Sequence, residues 1–193
     1  EGIQFSFGDR HIRVLMIMLG TAAFFGFGIF NLMPAWATNV LGGNVTTNGW
    51  LLSARGVGSF TGALMIAYLG AKIIRGRIWT IGSLILPFAM TIFALFRVLP
   101  VSLAMLVIIG WCVMAVINVT NALIQTHVPD ELRGRVMGVY ILIFQGTIPL
   151  GALLSGWLAE VTTEPITVFA FAGAILVIAL TIQLRVPSIR EFN

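Results

Sequence analysis

Six stretches of this 193-residue chain are each long and apolar enough to cross a bilayer: about Val14–Trp36, Gly49–Leu69, Trp79–Phe96, Val101–Thr126, Val136–Ala159 and Ile166–Leu184. A spanning helix needs roughly 20 mainly apolar residues at about 1.5 Å rise each. In hydrocarbon every backbone N–H and C=O needs an internal partner, which leaves only helices and closed barrels. These runs lack the period-two alternation of barrel strands. The chain is therefore predicted to be an all-α membrane protein, a bundle of six transmembrane helices over residues 14–185. Residues 1–13 are then a polar lead-in or linker and residues 186–193 a tail.

The breaks between spans carry turn and helix-start chemistry. Asn39-Val40-Leu41-Gly42-Gly43-Asn44 is a turn cluster, and Pro100 and Pro165 stand at helix starts. Val128-Pro129-Asp130-Glu131 places two acids in a first helical turn, where the helix dipole favours negative charge. Orientation follows from the short basic connections. Arg10, Arg13, Lys72, Arg75, Arg77, Arg133, Arg135, Arg185 and Arg190 all fall on one side of the six spans. The other side has Arg97 with Glu160 and Glu164. Both termini are predicted to be cytoplasmic, with Trp36, Trp50 and Trp157 in an outer aromatic belt and Tyr68 and Trp79 in an inner one.

Composition closes off the alternatives. Hydrophobic residues make up 59% of the chain and charged residues 9%, against about 25% charged in a soluble domain, so much of the outer surface must face lipid. The net charge of +4 sits in short clusters that flank spans, with no aromatic-interleaved basic face, which excludes nucleic acid as a partner. Cys112 is the single cysteine, so neither an intrachain disulfide nor a thiolate metal site is expected. No catalytic set, phosphate loop or metal-ligand spacing is present, and His11 and His127 lack neighbouring ligands in sequence. No enzyme activity, metal or cofactor is expected. The lead-in starts at Glu1 and has no cleavable-leader pattern, which suggests a fragment or the later part of a longer chain.

A few polar groups inside the spans are the candidates for work. Arg55 costs about 2.5–3.5 kcal/mol at a helix centre. It either attracts anions or pairs with a gate in a central cavity, or snorkels to the outer interface. It shares a face with Gly58 and Gly62, a spacing that allows close helix approach. Trp111, Met114, Asn118, Asn121 and Gln125 recur at spacings of three and four, so they form one stripe. Unpaired amides facing lipid are costly, so the stripe lines a wet cavity or a hydrogen-bonded helix contact. The depth of Asn121 and Gln125 suits packing or gating as well. Phe24, Phe27 and Asn31 form a further face, which is either cavity or lipid surface, and Gly20, Gly26 and Gly28 allow that helix to bend. Gln145 shares a face with Ala152 and Gly156 and is expected to join helices, as is Gly151. All seven Asp and Glu residues lie at span ends or in connections, so none sits where a proton-coupling acid is usually found. The basic turns Arg75-Gly76-Arg77 and Arg133-Gly134-Arg135 echo each other, which suggests an inverted three-plus-three repeat.

The run Val128-Pro129-Asp130-Glu131-Leu132-Arg133-Gly134-Arg135-Val136-Met137-Gly138-Val139-Tyr140 resembles the connection between helices ten and eleven of major facilitator superfamily transporters. Its wording is closest to bacterial drug and siderophore exporters of the enterobactin-exporter type. Gly49–Gly58 with Gly62-Ala63-Leu64 resembles their helix eight, and Gly146–Gly156 their helix eleven. The resemblance runs over nearly the whole chain. It implies helices seven to twelve, the C-terminal half of a twelve-helix transporter in a bacterial cytoplasmic membrane, whose partner is an N-terminal six-helix half.

The resemblance also implies proton-driven export of small amphipathic molecules by alternating access. It places Trp111, Met114, Asn118, Phe24, Phe27 and Asn31 on cavity-lining helices. Asp130, Arg133, Gly134 and Arg135, with Arg75 and Arg77, become a cytoplasmic gating latch, although dipole matching and phosphate snorkelling explain the same residues. The copy Gly70-Ala71-Lys72-Ile73-Ile74-Arg75-Gly76-Arg77 lacks the family aspartate, so a charge pair built on that acid is not carried over. The competing expectation is a non-transporting helical subunit or scaffold, in which the amide stripe is wholly buried by helix packing.

Overall fold

The computed structural model describes residues 1–69 and 74–191. Lys72 and most of the Gly70–Ile74 stretch lie outside the described residues. A short helix α1, Gly2–Gly8, precedes a long rod α2, Arg10–Val40. Then follow α3, Val45–Leu69; α4, Arg75–Leu95; α5, Leu99–His127; α6, Asp130–Val161; and α7, Glu164–Arg185. A 3₁₀ turn, Pro187–Glu191, closes the described chain. The lead-in expected as linker is thus helical. Arg10–Arg13 belongs to α2, whose start is capped by Asp9 Oδ1 accepting from the amides of His11 and Ile12 at 2.9 Å each.

Among the described residues, five helices are both long and apolar enough to cross a membrane: α2, α4, α5, α6 and α7. Six such spans are expected from the sequence. The difference is α3, which has 25 residues and ample length, but Arg55 together with its glycines and serines dilutes its apolar run below that of the others.

Helix α5 packs closely against α3 on one side and α4 on the other, α4 also against α7, and α2 against α6. Buried aromatic and polar contacts join these layers. Trp36 stacks on Phe93 with ring centroids 4.2 Å apart, joining α2 to α4. Trp79 Nε1 donates to Thr120 Oγ1 at 3.0 Å, joining α4 to α5. Both tryptophans are 0% exposed, so neither belongs to an aromatic belt. Trp50, Trp157 and Tyr68 are exposed. A bilayer and a helix interface are equally apolar, so span-end position alone does not separate them.

The glycines set the closest approaches. A Cβ at Gly58 would run into the carbonyl oxygen of Val107, and one at Gly62 would lie 3.1 Å from that of Trp111. On the facing side, a Cβ at Gly110 would meet the Arg55 carbonyl. Gly151 and Gly28 bring α6 onto α2 in the same way, a Cβ at Gly28 lying 2.9 Å from the Gly151 carbonyl oxygen. Ser155 Oγ then donates to the Gly28 carbonyl at 2.9 Å. At this contact α2 departs from α-helical winding. It runs in wide π turns over Ala22–Phe27, tightens over Ile29–Leu32, and widens again over Trp36–Val40. Such irregularities are frequent at functional sites and hinges.

Gln145 and Gly156, expected in helix contacts, lie on the exposed side of α6 in this bundle. Both are exposed, and a Cβ at Gly156 would meet nothing within 4 Å. The packed side of α6 runs through Tyr140, Phe144, Gly151 and Ser155. At about 100° per residue, Gln145 and Gly156 are rotated well off it.

Candidate functional site

Helix α5 is buried on all but one side along its central and inner portion. Cys112, Val113, Ala115, Val116, Ile117, Val119, Thr120, Leu123 and Ile124 are buried, while Trp111, Met114, Asn118 and Asn121 are half-exposed and Gln125 is exposed. The stripe read from spacing is therefore the open side of the helix. Its amides interact along the helix: Gln125 Nε2 donates to Asn121 Oδ1 at 2.5 Å, and Asn118 Nδ2 approaches Met114 Sδ at 4.0 Å. Each amide satisfies part of its bonding locally and keeps donor and acceptor capacity outward.

An aromatic row joins α5 to Arg55. The Arg55 guanidinium lies over the Phe30 ring, 4.4 Å from its centroid, a cation–π contact worth about 0.5–2 kcal/mol. Phe30 meets Phe27 edge-on at 5.5 Å, Phe27 meets Phe144 edge-on at 5.7 Å, and Phe144 stacks on Tyr140 at 6.3 Å. The Tyr140 hydroxyl donates to the Ile117 carbonyl at 3.3 Å. The row thus runs from α3 across α2 and α6 to α5. It links Arg55 and Phe27, both read from the sequence, to the backbone of α5 at Ile117.

Phe30, Tyr140 and Phe144 are the members that sequence reasoning missed. The spacing Phe27–Phe30 and Tyr140–Phe144 is the signal that could have found them. Phe24 stands apart from the row. It meets Phe25 edge-on at 4.7 Å and lies 6.4 Å from Phe171, and its carbonyl faces Gly151, so it belongs to the α2–α6–α7 contact. Asn31 is exposed.

The basic turns do not form one cluster. At the start of α6, Arg133 pairs with Asp130 at 2.5 Å within the first turn, and Arg135 pairs with Glu1. Gly2 allows that second pairing, since a Cβ there would lie 2.7 Å from Arg135 Cβ. Gly134 has open space around it. Arg77 lines a separate groove with Thr80 and Glu191, and Arg75 is half-buried at the start of α4. Among the described residues no group of three or more His, Cys, Asp or Glu side chains could hold a metal ion.

The profile of the transmembrane secretion effector family matches residues 1–193. Multidrug efflux pump Tap of Mycobacterium tuberculosis (strain H37Rv) is 30% identical over 194 residues, covering 100% of this chain and 46% of that protein. Multidrug efflux pump Tap of Mycolicibacterium fortuitum is 30% identical over 148 residues, covering 77% of this chain and 36% of the pump. The chain thus spans less than half the length of these relatives. A half-open polar stripe in an apolar helical bundle, and a family match over every residue, lead to one assignment: the chain belongs to the transmembrane secretion effector family of the major facilitator superfamily, a family of transporters and not of enzymes.

Proposed function

We propose that this bundle is one half of a secondary transporter that exports amphipathic small molecules. The observation that carries the reading is the open side of α5, where Trp111, Met114, Asn118 and Asn121 stay partly exposed while the other residues from Cys112 to Thr120 are buried. A scaffold would bury its amides in helix contacts. A transport path needs a few polar groups among aromatic and apolar walls, and the row from Arg55 to Phe144 supplies that mixture beside the stripe. The relatives named multidrug efflux pumps support export and broad substrate choice.

In this reading α3 is the sixth span. Its 25 residues reach about 37 Å at the helical rise, and Arg55 costs less when paired with Phe30 than when facing lipid. Three helices are then followed by three in inverted order, and both termini are cytoplasmic by the distribution of Arg and Lys. The membrane is the cytoplasmic membrane of a bacterium. A second six-helix half covers the side where α6 is least buried, and the substrate path runs between the halves, opening alternately to either side. Gln145 and Gly156 face that partner half in this arrangement.

Protons drive the cycle, and the coupling carboxylate belongs to the other half, because the acids of this chain stand at helix ends. Asp130, Arg133 and Arg135, with Glu1, act at the cytoplasmic rim as a charge latch. The test is efflux of a panel of cationic, neutral and anionic dyes from cells producing the natural full-length polypeptide. Trp111→Ala and Asn118→Ala are expected to change which dyes leave. Unchanged export of every dye by well-folded variants would remove this surface from the transport path.

A further inference from the structure

A second surface combines charge and apolar wall in a different way. A groove of about 450 Å³ runs between the beginning of α2 and the end of α7. Arg10, Arg13 and Arg185 stand at its outer end. Ile17 on α2, with Val177 and Thr181 on α7, continues it toward the middle of the bundle. The geometry is periodic: Arg10, Arg13 and Ile17 follow one face of α2, and Val177, Thr181 and Arg185 one face of α7. Seven and eight residues of helix correspond to about 10–12 Å along the groove, with guanidinium groups at one end and branched apolar side chains at the other.

The charge at the rim is not cancelled by acids. The ion pairs among the described residues are Arg133–Asp130 and Arg135–Glu1, neither of them in this groove. Asp9, beside Arg10 in sequence, uses Oδ1 to cap α2. Arg10 Nη2 donates to the Arg185 carbonyl, which ties the rim together and satisfies one of the carbonyls left over at the end of α7. Arg13 Nη1 donates to the Phe7 carbonyl at 3.2 Å. A guanidinium has five N–H donors, so both retain donors for a further acceptor. Along the wall, Ile17 is 43% and Val177 64% exposed. A groove that is apolar where hydrocarbon lies and triply cationic where headgroups lie matches one class of molecule.

We propose that this groove is a binding site for an anionic phospholipid. Its phosphate is held by Arg10, Arg13 and Arg185, and an acyl chain lies along Ile17, Val177 and Thr181. Arginine forks pair with phosphate oxygens in bidentate geometry, and basic pockets between membrane helices take anionic headgroups. The inference goes beyond the transport reading and rests only on α2 and α7 crossing the membrane. A lipid seated here would pin the start of α2 to the end of α7, away from the surface assigned to substrate.

The test is native mass spectrometry of the natural full-length polypeptide in detergent, titrated separately with dioleoyl phosphatidylglycerol, dioleoyl phosphatidylcholine and inorganic phosphate. Phosphatidylglycerol is expected to be retained in preference to phosphatidylcholine. Arg13→Gln with Arg185→Gln should cut that preference by about 25-fold, at about fivefold per arginine. Arg97→Gln, which changes an arginine away from this groove, should leave it intact. Thr181→Trp, which fills the apolar trough without touching charge, should reduce retention of both lipids. Each variant is first matched to wild type in melting temperature, and Arg13→Lys with Arg185→Lys replaces any double variant that fails to fold, with a smaller loss expected. Equal retention of the two lipids by wild type would overturn the proposal, as would a preference untouched in the folded double variant. Displacement of lipid by inorganic phosphate alone would overturn it in favour of a free-anion site.

Discussion

Replacing Gly58 by alanine tests the packing of α3 against α5 most sharply, because Gly56 provides an internal control two residues away. A Cβ at Gly58 would run into the Val107 carbonyl oxygen, with the Val107 carbonyl carbon at 2.7 Å and its Cα at 2.9 Å. These are backbone atoms and cannot swing aside, so the two helices must separate. A Cβ at Gly56 would meet nothing within 4 Å. Both substitutions gain the same helix propensity, about 0.8–1 kcal/mol over glycine. Their difference therefore isolates the overpacking cost, about 1–3 kcal/mol.

At about 2–4 °C per kcal/mol for 150–250 residues, and less for a longer polypeptide, Gly58→Ala should melt one to several degrees below Gly56→Ala. The assay is thermal unfolding of the natural full-length polypeptide in detergent, followed by tryptophan fluorescence. Gly56→Ala should match or slightly exceed wild type. Equal melting temperatures for the two variants would refute the close approach of these helices.

Ser155→Ala removes the donor to the Gly28 carbonyl. Hydrogen bonds between membrane helices average about 0.6 kcal/mol, so a fall of one to a few degrees by the same assay is expected. Trp79→Phe removes the donor to Thr120 in the buried contact of α4 with α5 and should cost about 1 kcal/mol; an unchanged melting curve would contradict that bond. Arg55→Leu removes the charge over Phe30 and should shift dye preference from anions toward cations in an efflux assay, while Arg55→Lys should keep part of the wild-type pattern. Arg135→Gln separates the start of α6 from Glu1. As an exposed pair it should alter stability by less than about 1 kcal/mol, so a large loss of transport with a normal melting curve would favour the latch reading.

The long helices were legible because length, apolarity and the Pro and Asp-Glu starts at Pro100, Pro165 and Asp130 are local signals. The stripe on α5 was legible for a related reason: Trp111, Asn118 and Asn121 are aromatic or polar, and with Met114 they recur at helical spacing in a mostly aliphatic run. Side-chain surroundings were harder to read. Trp36 and Trp79 look like belt residues by position, yet each is buried against a neighbouring helix, since lipid and protein neighbours select the same apolar residues. The irregular winding of α2 adjoins contacts with Gly151 and Ser155, more than 100 residues away in sequence. Glycines at 20, 26 and 28 hinted at a bend without revealing its winding. Gln145 and Gly156 share a face as expected, but that face is turned away from the rest of this bundle.

Water access to Asn118 is the most direct measure of the central claim, that the open side of α5 borders an aqueous path and not lipid. Cys112 is buried and is replaced by alanine, in a background free of other cysteines. Single cysteines are then placed at Asn118, at buried Val116 and at exposed Leu153 on α6, and each is exposed in membranes to a small charged thiol reagent. Asn118→Cys is expected to label rapidly, more slowly in the presence of transported dye, and Val116→Cys to label little. The claim is contradicted if Asn118→Cys resists the charged reagent from both sides of the membrane and reacts only with a lipid-soluble one.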